Sequence, residues 1–225
     1  MSNLKIVLKF TLLFTVIYIF LLLPQTKIDL KYEKFFRSIG AVLFEHFGEE
    51  GIVFFKEEHG KGFDTKLFLS KKSMREKNGD YQSTIFPINA RRIGWISTAF
   101  FISLVFATPV QWKRKIIAML AGFILVTAYA MIKLRILILH FYTLSKTIGL
   151  YRDPEQVKRI EFWSEFFARP NTPVYYFVII VWLAVCFNKN DWMRLHGALK
   201  LKPENKKPFA NAIADRKRKF KKTKQ

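Results

Sequence analysis

Three ionisable side chains stand close together near the end of a long apolar stretch, in the segment "MIKLRILILH" at residues 131–140. They are Lys133, Arg135 and His140. A charged side chain in an apolar segment is costly and for that reason often marks a functional site. Arg135 is the strongest candidate, because a guanidinium group offers a planar set of donors that matches a carboxylate or a phosphate. The alternative interpretation is that Lys133 and Arg135 extend their charged ends to lipid head groups.

A second pair of arginines, Arg91 and Arg92, opens another apolar stretch in "NARRIGW". If both stretches are helices that cross a membrane, these arginines lie at the same outer depth as Arg135. Two or three guanidinium groups at one depth would bind a carboxylate or phosphate strongly. We therefore predict a site with Arg135 as its candidate catalytic residue, and with binding residues Arg91, Arg92, Lys133 and His140. Anchoring at the interface is the alternative role for the first pair.

Few other residues have the chemistry of an active site. The single cysteine, Cys186, falls at the inner end of the last apolar stretch, away from the arginines, and the histidines have no metal-ligand spacing. Hydroxyl groups at Ser83, Thr84 and Ser97 lie on the outer side but in no recognisable motif. The sequence therefore predicts no metal and no cofactor.

Four apolar blocks must position these residues: Ile6–Leu23, Ile93–Val110, Ile116–Leu139 and Pro173–Phe187. A helix needs about 20 apolar residues to cross a bilayer, which the first three blocks reach or approach. We accordingly predict an all-α membrane fold, a four-helix transmembrane bundle with a small α+β extracytoplasmic insertion between helices 1 and 2. The insertion contains an apolar pattern with helical spacing (Ile28, Tyr32, Phe35, Ile39, Val42, Phe47) and three strand-like segments.

The distribution of charge predicts the orientation of this bundle. Residues 24–90 carry 11 basic and 10 acidic side chains, and residues 141–172 carry 5 and 4, whereas residues 188–225 carry 13 and 3. The positive-inside rule then places both termini and the basic turn "QWKRK" in the cytoplasm. The predicted location is the inner (plasma) membrane, multi-pass. Topology and contact with anionic lipid head groups account for most of the net charge of +21, so no nucleic acid is expected as a partner.

The predicted domains follow from these blocks. Residues 1–23 form a signal-anchor transmembrane helix, and residues 24–90 form an extracytoplasmic loop with an amphipathic helix and a small sheet. Residues 91–187 form a three-helix transmembrane core, and residues 188–225 form a basic cytoplasmic tail.

The stretch "ARRIGWISTAFFISLVFATPVQWKRKIIAMLAGFILVTAYAMIKLRILILHFYTL" resembles the core of the exosortase/archaeosortase family of membrane transpeptidases. The resemblance covers residues 90–144: a helix that ends at a proline, a short basic turn, a glycine in the next helix and an arginine near its outer end. It implies that Arg135 matches the family's essential arginine, which stabilises an oxyanion or positions a peptide carbonyl. The family's cysteine is absent from "FPINARRIG", Ile132 replaces its asparagine, and residues 141–172 contain no histidine.

Three functional hypotheses remain open. The first is a membrane protein of exosortase-like architecture without cysteine transpeptidase activity, which binds a peptide tail, a lipid head group or a partner protein through its arginines. The second is a divergent transpeptidase or protease with a non-cysteine nucleophile. The third is a structural or assembly subunit that docks partners through its outer loop and basic tail. The sequence leaves open whether the chain is an enzyme.

Overall fold

The fold is described by a computed structural model that covers residues 3–23, 27–76, 81–145, 148, 150, 151, 153–168, 172–188 and 191. The chain divides into two compact units, Met1–Cys186 and Phe187–Gln225. The predicted basic tail, residues 188–225, lies almost wholly outside the described residues. The elements below all belong to the first unit.

Six α-helices and four strands make up the described part of this unit. Their order is α1 (Asn3–Leu22), α2 (Ile28–Phe44), β1 (His46–Phe47), β2 (Gly51–Gly60), β3 (Phe63–Lys71), β4 (Thr84–Ile88), α3 (Ile96–Ala107), α4 (Trp112–Leu144), α5 (Pro154–Ala168) and α6 (Thr172–Cys186). A short 3-10 helix (Lys72–Met74) follows β3, and a π-helical turn (Arg91–Trp95) leads directly into α3.

The strands form one antiparallel sheet in the order β1-β2-β3-β4. Gly62 connects β2 to β3 with a φ of 87°, a conformation that glycine adopts without steric cost. Val53 pairs with Leu69, and Leu67 pairs with Phe86, so apolar side chains lie opposite one another on the covered face. Val53, Leu67 and Leu69 are buried.

One hydrophobic core joins α2, this sheet, the π-helical turn and the second half of α4. The contribution of α4 is a stripe with a spacing of four residues, Ala130, Leu134, Ile138 and Tyr142, and all four are buried. Residues four apart lie on the same face of an α-helix. The second half of α4 is therefore attached to the α2–sheet assembly.

The first half of α4 packs against α3 instead. A Cβ atom at Gly122 would collide with the ring of Phe101, so the glycine permits the close approach of the two helices. Helix α3 ends at Ala107, and the extended residue Thr108 precedes Pro109. The residue before a proline is disfavoured in the α conformation, which explains the end of the helix there.

The prediction of an all-α, four-helix transmembrane bundle is wrong. Within the described residues, only Trp112–Leu144 is both long and apolar enough to cross a membrane, while Val7–Leu22 and Pro173–Cys186 are shorter apolar helices. The predicted second span is divided between the π-helical turn and the 12 residues of α3, and the helix ends at Ala107, before Pro109. At 1.5 Å per residue, α3 is about 18 Å long, less than a bilayer's hydrocarbon core of about 30 Å. The described part of the chain is α+β and contains one candidate membrane span.

The buried face of α2 also differs from the predicted one. Val42 is 83% exposed, whereas the polar residues Asp29, Glu33 and Arg37 are buried. Only part of the predicted apolar pattern therefore faces the core. The polar residues are buried because the sheet and the π-helical turn supply charged partners, Glu57 for Arg37 and Arg91 for Asp29.

Candidate functional site

Arg135 follows the buried Leu134 on α4, and its side chain is exposed. It makes no hydrogen bond or ion pair with any other described residue. Burial raises the pKa of the Tyr151 phenol, and the positive charge of Arg135 acts in the opposite direction. Tyr151 packs edge-on against Tyr142, with ring centroids 6.5 Å apart. An exposed guanidinium without an ionic partner can receive a carboxylate or phosphate.

Arg91 is held by the protein itself. Its Nη2 atom donates a hydrogen bond of 2.8 Å to the Leu22 carbonyl, and its Nη1 atom lies 3.4 Å from Oδ2 of Asp29. Its backbone N–H donates to Oδ2 of Asp64 at 3.1 Å. The side chain connects the end of α1 to the start of α2. Its role in the described structure is to hold these elements together.

Arg92 follows in the same turn but points its side chain to the exterior. Its backbone N–H donates to Oδ1 of Asn89 at 2.7 Å, and Nδ2 of Asn89 donates to the Gly62 carbonyl at 2.9 Å. Asn89 therefore caps the π-helical turn and ties it to the β2–β3 connection. The guanidinium of Arg92 has no hydrogen-bond or ionic partner among the described residues.

Lys133 faces α5. It lines a cavity of about 30 Å³ together with Ile136, Leu137, Ser164 and Phe167. This volume is sufficient for about one water molecule. Lys133 and Ser164 share the cavity but are not hydrogen-bonded to each other in the described structure.

His140 is half-buried near the end of α4. Its Nδ1 atom is buried and has no hydrogen-bond partner among the described residues. Its carbonyl accepts a hydrogen bond of 2.7 Å from Oγ1 of Thr143. Among the residues described, no hydrogen bond or ion pair joins any two of the five predicted site residues. Arg92 and Arg135 are the exposed members of the set.

The candidate hydroxyl nucleophiles are engaged elsewhere. Ser97 is buried and donates to the Gly94 carbonyl at 2.8 Å, and Thr84 shares a hydrogen bond of 3.1 Å with Ser145. Ser83 is half-buried. Cys186 is buried, and its carbonyl accepts a hydrogen bond of 2.9 Å from Arg114.

A polar cluster that the sequence analysis missed lies where α2, the sheet and the π-helical turn meet. The carboxylate of Asp64 accepts hydrogen bonds from the backbone N–H of Ala90 (2.9 Å), from that of Arg91 and from Oγ1 of Thr65 (2.9 Å). Arg37 forms an ion pair with Glu57, and it lies 4.0 Å from Glu33. The signal was present in the sequence, since Asp29, Glu33 and Arg37 are spaced four residues apart along α2.

Glu33 is the exceptional member of this cluster. Burial raises the pKa of its carboxyl group, and the nearby charge of Asp64 raises it further, against the opposing effects of His59 and Arg37. No group of three or more histidine, cysteine, aspartate or glutamate side chains in the described part of the chain is arranged to hold a metal ion. The cluster joins three elements and places one carboxyl group in an environment that favours its protonated form.

A larger cavity lies at the other end of α4. Its volume is about 430 Å³, and it is lined by Lys5, Lys9, Phe10, Leu13, Phe106, Ala107, Thr108, Pro109 and Lys115. The ammonium group of Lys115 donates to the Phe106 carbonyl at 2.7 Å and lies 5.1 Å from the centre of the Trp112 ring. The cavity therefore combines basic side chains with apolar ones.

Comparisons of the chain with protein-family models, with curated proteins and with solved structures find no match. The resemblance to exosortases remains a prediction. Among the five predicted site residues, the guanidinium groups of Arg92 and Arg135 are exposed and have no partner in the described part of the chain, and Arg135 is the one of these two that lies on the candidate membrane span.

Proposed function

We propose that the protein is a membrane protein that binds the anionic group of a ligand, a carboxylate or a phosphate, at Arg135. The observation that carries the proposal is that Arg135 is exposed on the apolar helix α4 and that its guanidinium has no acidic partner among the described residues. A peptide tail, a lipid head group and an acidic patch of a partner protein all present such a group. Cysteine transpeptidase activity forms no part of this proposal.

The proposed location is the inner (plasma) membrane, with α4 as a span. The basic turn at Lys113–Lys115 and both termini face the cytoplasm, and the sheet lies on the outer side. The shorter apolar helices α1 and α6 pack beside α3 and α4.

This location is testable by labelling of single cysteines in a Cys186→Ser background. An impermeant maleimide should label Lys61→Cys, in the exposed β2–β3 turn, in intact cells. It should label Lys113→Cys only after the membrane is permeabilised. Labelling of Lys113→Cys in intact cells would contradict the orientation.

The binding function is testable by photo-crosslinking. A photoreactive amino acid at the exposed Ile132 lies one helical turn from Arg135 and should capture the bound ligand in cells, for identification by mass spectrometry as a peptide or a lipid. Arg135→Gln should abolish the adduct. Arg135→Lys should also reduce it strongly, by about tenfold or more, because a lysine cannot reproduce the paired hydrogen bonds of a guanidinium.

The lysine variant separates binding from simple anchoring. A side chain that only extends to the head groups works equally well as arginine or lysine, so full retention of the adduct in Arg135→Lys would contradict the proposal. Arg159→Gln, which removes an exposed arginine from α5, is the matched control and should leave the adduct unchanged.

A second candidate function, acyl transfer with a serine nucleophile, rests on the cavity shared by Ser164 and Lys133. In this reaction Oγ of Ser164 attacks a carbonyl carbon, a neutral Lys133 accepts the hydroxyl proton, and the leaving amine takes that proton when the acyl-serine forms. Water or a second amine then attacks the acyl-serine and takes the acyl group, and its proton passes through Lys133 to the Ser164 oxygen. A fluorophosphonate probe should then label Ser164, and the label should be lost in Ser164→Ala and in Lys133→Met. Unchanged labelling in both variants, or none in the native protein, would exclude this candidate.

A further inference from the structure

The cavity between the beginning of α1 and the α3–α4 turn has no role in the binding function proposed for Arg135. Three of its nine lining residues are lysines, Lys5, Lys9 and Lys115, and none is acidic. No carboxylate forms an ion pair with Lys5 or Lys9 among the described residues. Two exposed ammonium groups thus lie at the edge of this cavity without a counter-ion from the described chain.

The rest of the lining is apolar. Phe10 directly follows Lys9 in α1, Leu13 lies one helical turn after Lys9, and Phe106, Ala107 and Pro109 come from the end of α3 and the turn after it. A small soluble anion would make no use of this surface. An amphiphile with one charged end and one hydrocarbon end would satisfy both parts.

Lys115 is the third basic residue of the cavity lining. Its ammonium group is held by the Phe106 carbonyl and by the Trp112 ring, so it is fixed in position. A lysine bound in this way keeps its remaining donors for an anion. The tryptophan beside it is a residue type enriched at the membrane–water interface.

We infer that this cavity binds a single anionic phospholipid. Its phosphate interacts with Lys5, Lys9 and Lys115, and the beginning of one acyl chain lies against Phe10, Leu13 and Phe106. The volume of about 430 Å³ is within the range of ligand pockets and accommodates the head-group region with the upper part of one chain. The inference rests on the proposed membrane location but not on the ligand of Arg135.

The test uses the full chain purified in detergent and mixed with defined lipids, with bound lipid counted by native mass spectrometry. The native protein should retain one molecule of phosphatidylglycerol in preference to phosphatidylcholine. The Lys5→Gln/Lys9→Gln variant should lose this preference, with affinity for phosphatidylglycerol reduced by about tenfold or more. The charge-matched control is Lys206→Gln/Lys207→Gln, which removes two lysines of the basic tail and should retain the lipid.

A second variant tests the apolar part without any change of charge. Leu13→Trp fills the cavity and should displace the lipid, while the helix content by circular dichroism stays that of the native protein. If the Lys5→Gln/Lys9→Gln variant does not fold, the Leu13→Trp variant still tests the inference.

Three outcomes would overturn the inference. They are equal loss of lipid in the tail control, full retention in Leu13→Trp, and displacement of the lipid by inorganic phosphate at millimolar concentration. The first would indicate general attraction to the membrane surface, and the last a site for a soluble anion. Labelling of Lys113→Cys in intact cells would instead contradict the membrane orientation, so the two failures are distinguishable.

Discussion

Glu33 holds a carboxyl group where the folded protein favours the protonated form, mainly because it is buried and also because Asp64 is near. Its pKa is raised above the usual value of 4.5. The folded state therefore keeps a proton over a pH range in which the unfolded chain has lost it. The stability that this group contributes is present below the usual value, and it is lost as the pH rises through the raised pKa of the folded state.

Glu33→Gln should remove this dependence. The variant has a permanently neutral side chain of nearly the same shape, so its free energy of unfolding should fall less than that of the native protein as the pH rises from 4.5 towards neutrality. The measurement is urea unfolding at a series of pH values. Glu49→Gln, at an exposed glutamate, should follow the native curve, and a Glu33→Gln curve parallel to the native one would contradict the assignment.

Replacement of Asp64 should lower the stability of the fold more than replacement of Glu33. Asp64→Ala leaves the buried N–H group of Ala90 without its acceptor and also releases Arg91 and Thr65, for a loss of about 3 kcal/mol or more. Asp64→Asn keeps the oxygen that Ala90 and Thr65 reach and should lose about half as much. Thermal unfolding in detergent measures both losses. Equal stability of the alanine variant and the native protein would show that the π-helical turn does not need this cap.

At the same scale, the sequence identified charged residues but not their partners. It predicted Arg91 and Arg135 at the same outer depth, since depth follows from counting residues along each apolar stretch. It gave no information about which neighbour meets each guanidinium. Asp29 is 62 residues before Arg91 in the chain, and only the folded arrangement of α2 against the π-helical turn brings them to 3.4 Å.

Among the elements, α4 packs against α3 along its first half and against α2 and the sheet along its second half. Tyr142, near the end of α4, contacts the sheet. The Tyr142 hydroxyl lies 2.9 Å from the Ile52 carbonyl and 3.1 Å from the Ser70 carbonyl, so it can donate to β2 or to β3. Its ring stacks on Phe47, with centroids 5.6 Å apart. Both contacts attach the end of α4 to the sheet.

Tyr142→Phe should keep the stacking and remove the hydrogen bond. We expect a loss of about 1 kcal/mol, or somewhat more if the freed carbonyls stay dry. Amide hydrogen exchange should accelerate at the β1–β2 end of the sheet and stay unchanged in the first half of α4. Tyr176→Phe, at an exposed position of α6, is the matched control. Uniform acceleration along α4 would mean that the sheet and the helix unfold as one unit.

The elements of the insertion were more predictable than the helices of the core. Helical spacing and alternating strands depend on local sequence, and α2 with β2, β3 and β4 occupies the segments where these patterns occur. The predicted second span failed because the apolar composition of residues 93–110 continues through Thr108 and Pro109, where the helix ends. Composition measures how apolar a segment is, while helix length also depends on where the backbone is interrupted.

At the scale of the whole molecule, Met1–Cys186 forms one compact unit and Phe187–Gln225 another. The first unit should therefore fold without most of the second. A chain that ends after Asn188 should unfold at the same temperature as the full chain, within about 2 °C, and should keep the phosphatidylglycerol preference assigned to the cavity near Lys5. A drop of several degrees would show that the basic segment stabilises the first unit.

The length of α4 has a mechanical consequence. Its 33 residues extend over about 50 Å, while the hydrocarbon core of a bilayer is about 30 Å thick. In the proposed location the helix projects beyond the membrane and carries the sheet on its outer end. A tilt of 10° displaces that end by roughly 9 Å, and helices tilt to match the thickness of their bilayer. In that location the helix would act as a lever that converts a change in membrane thickness into a movement of the sheet.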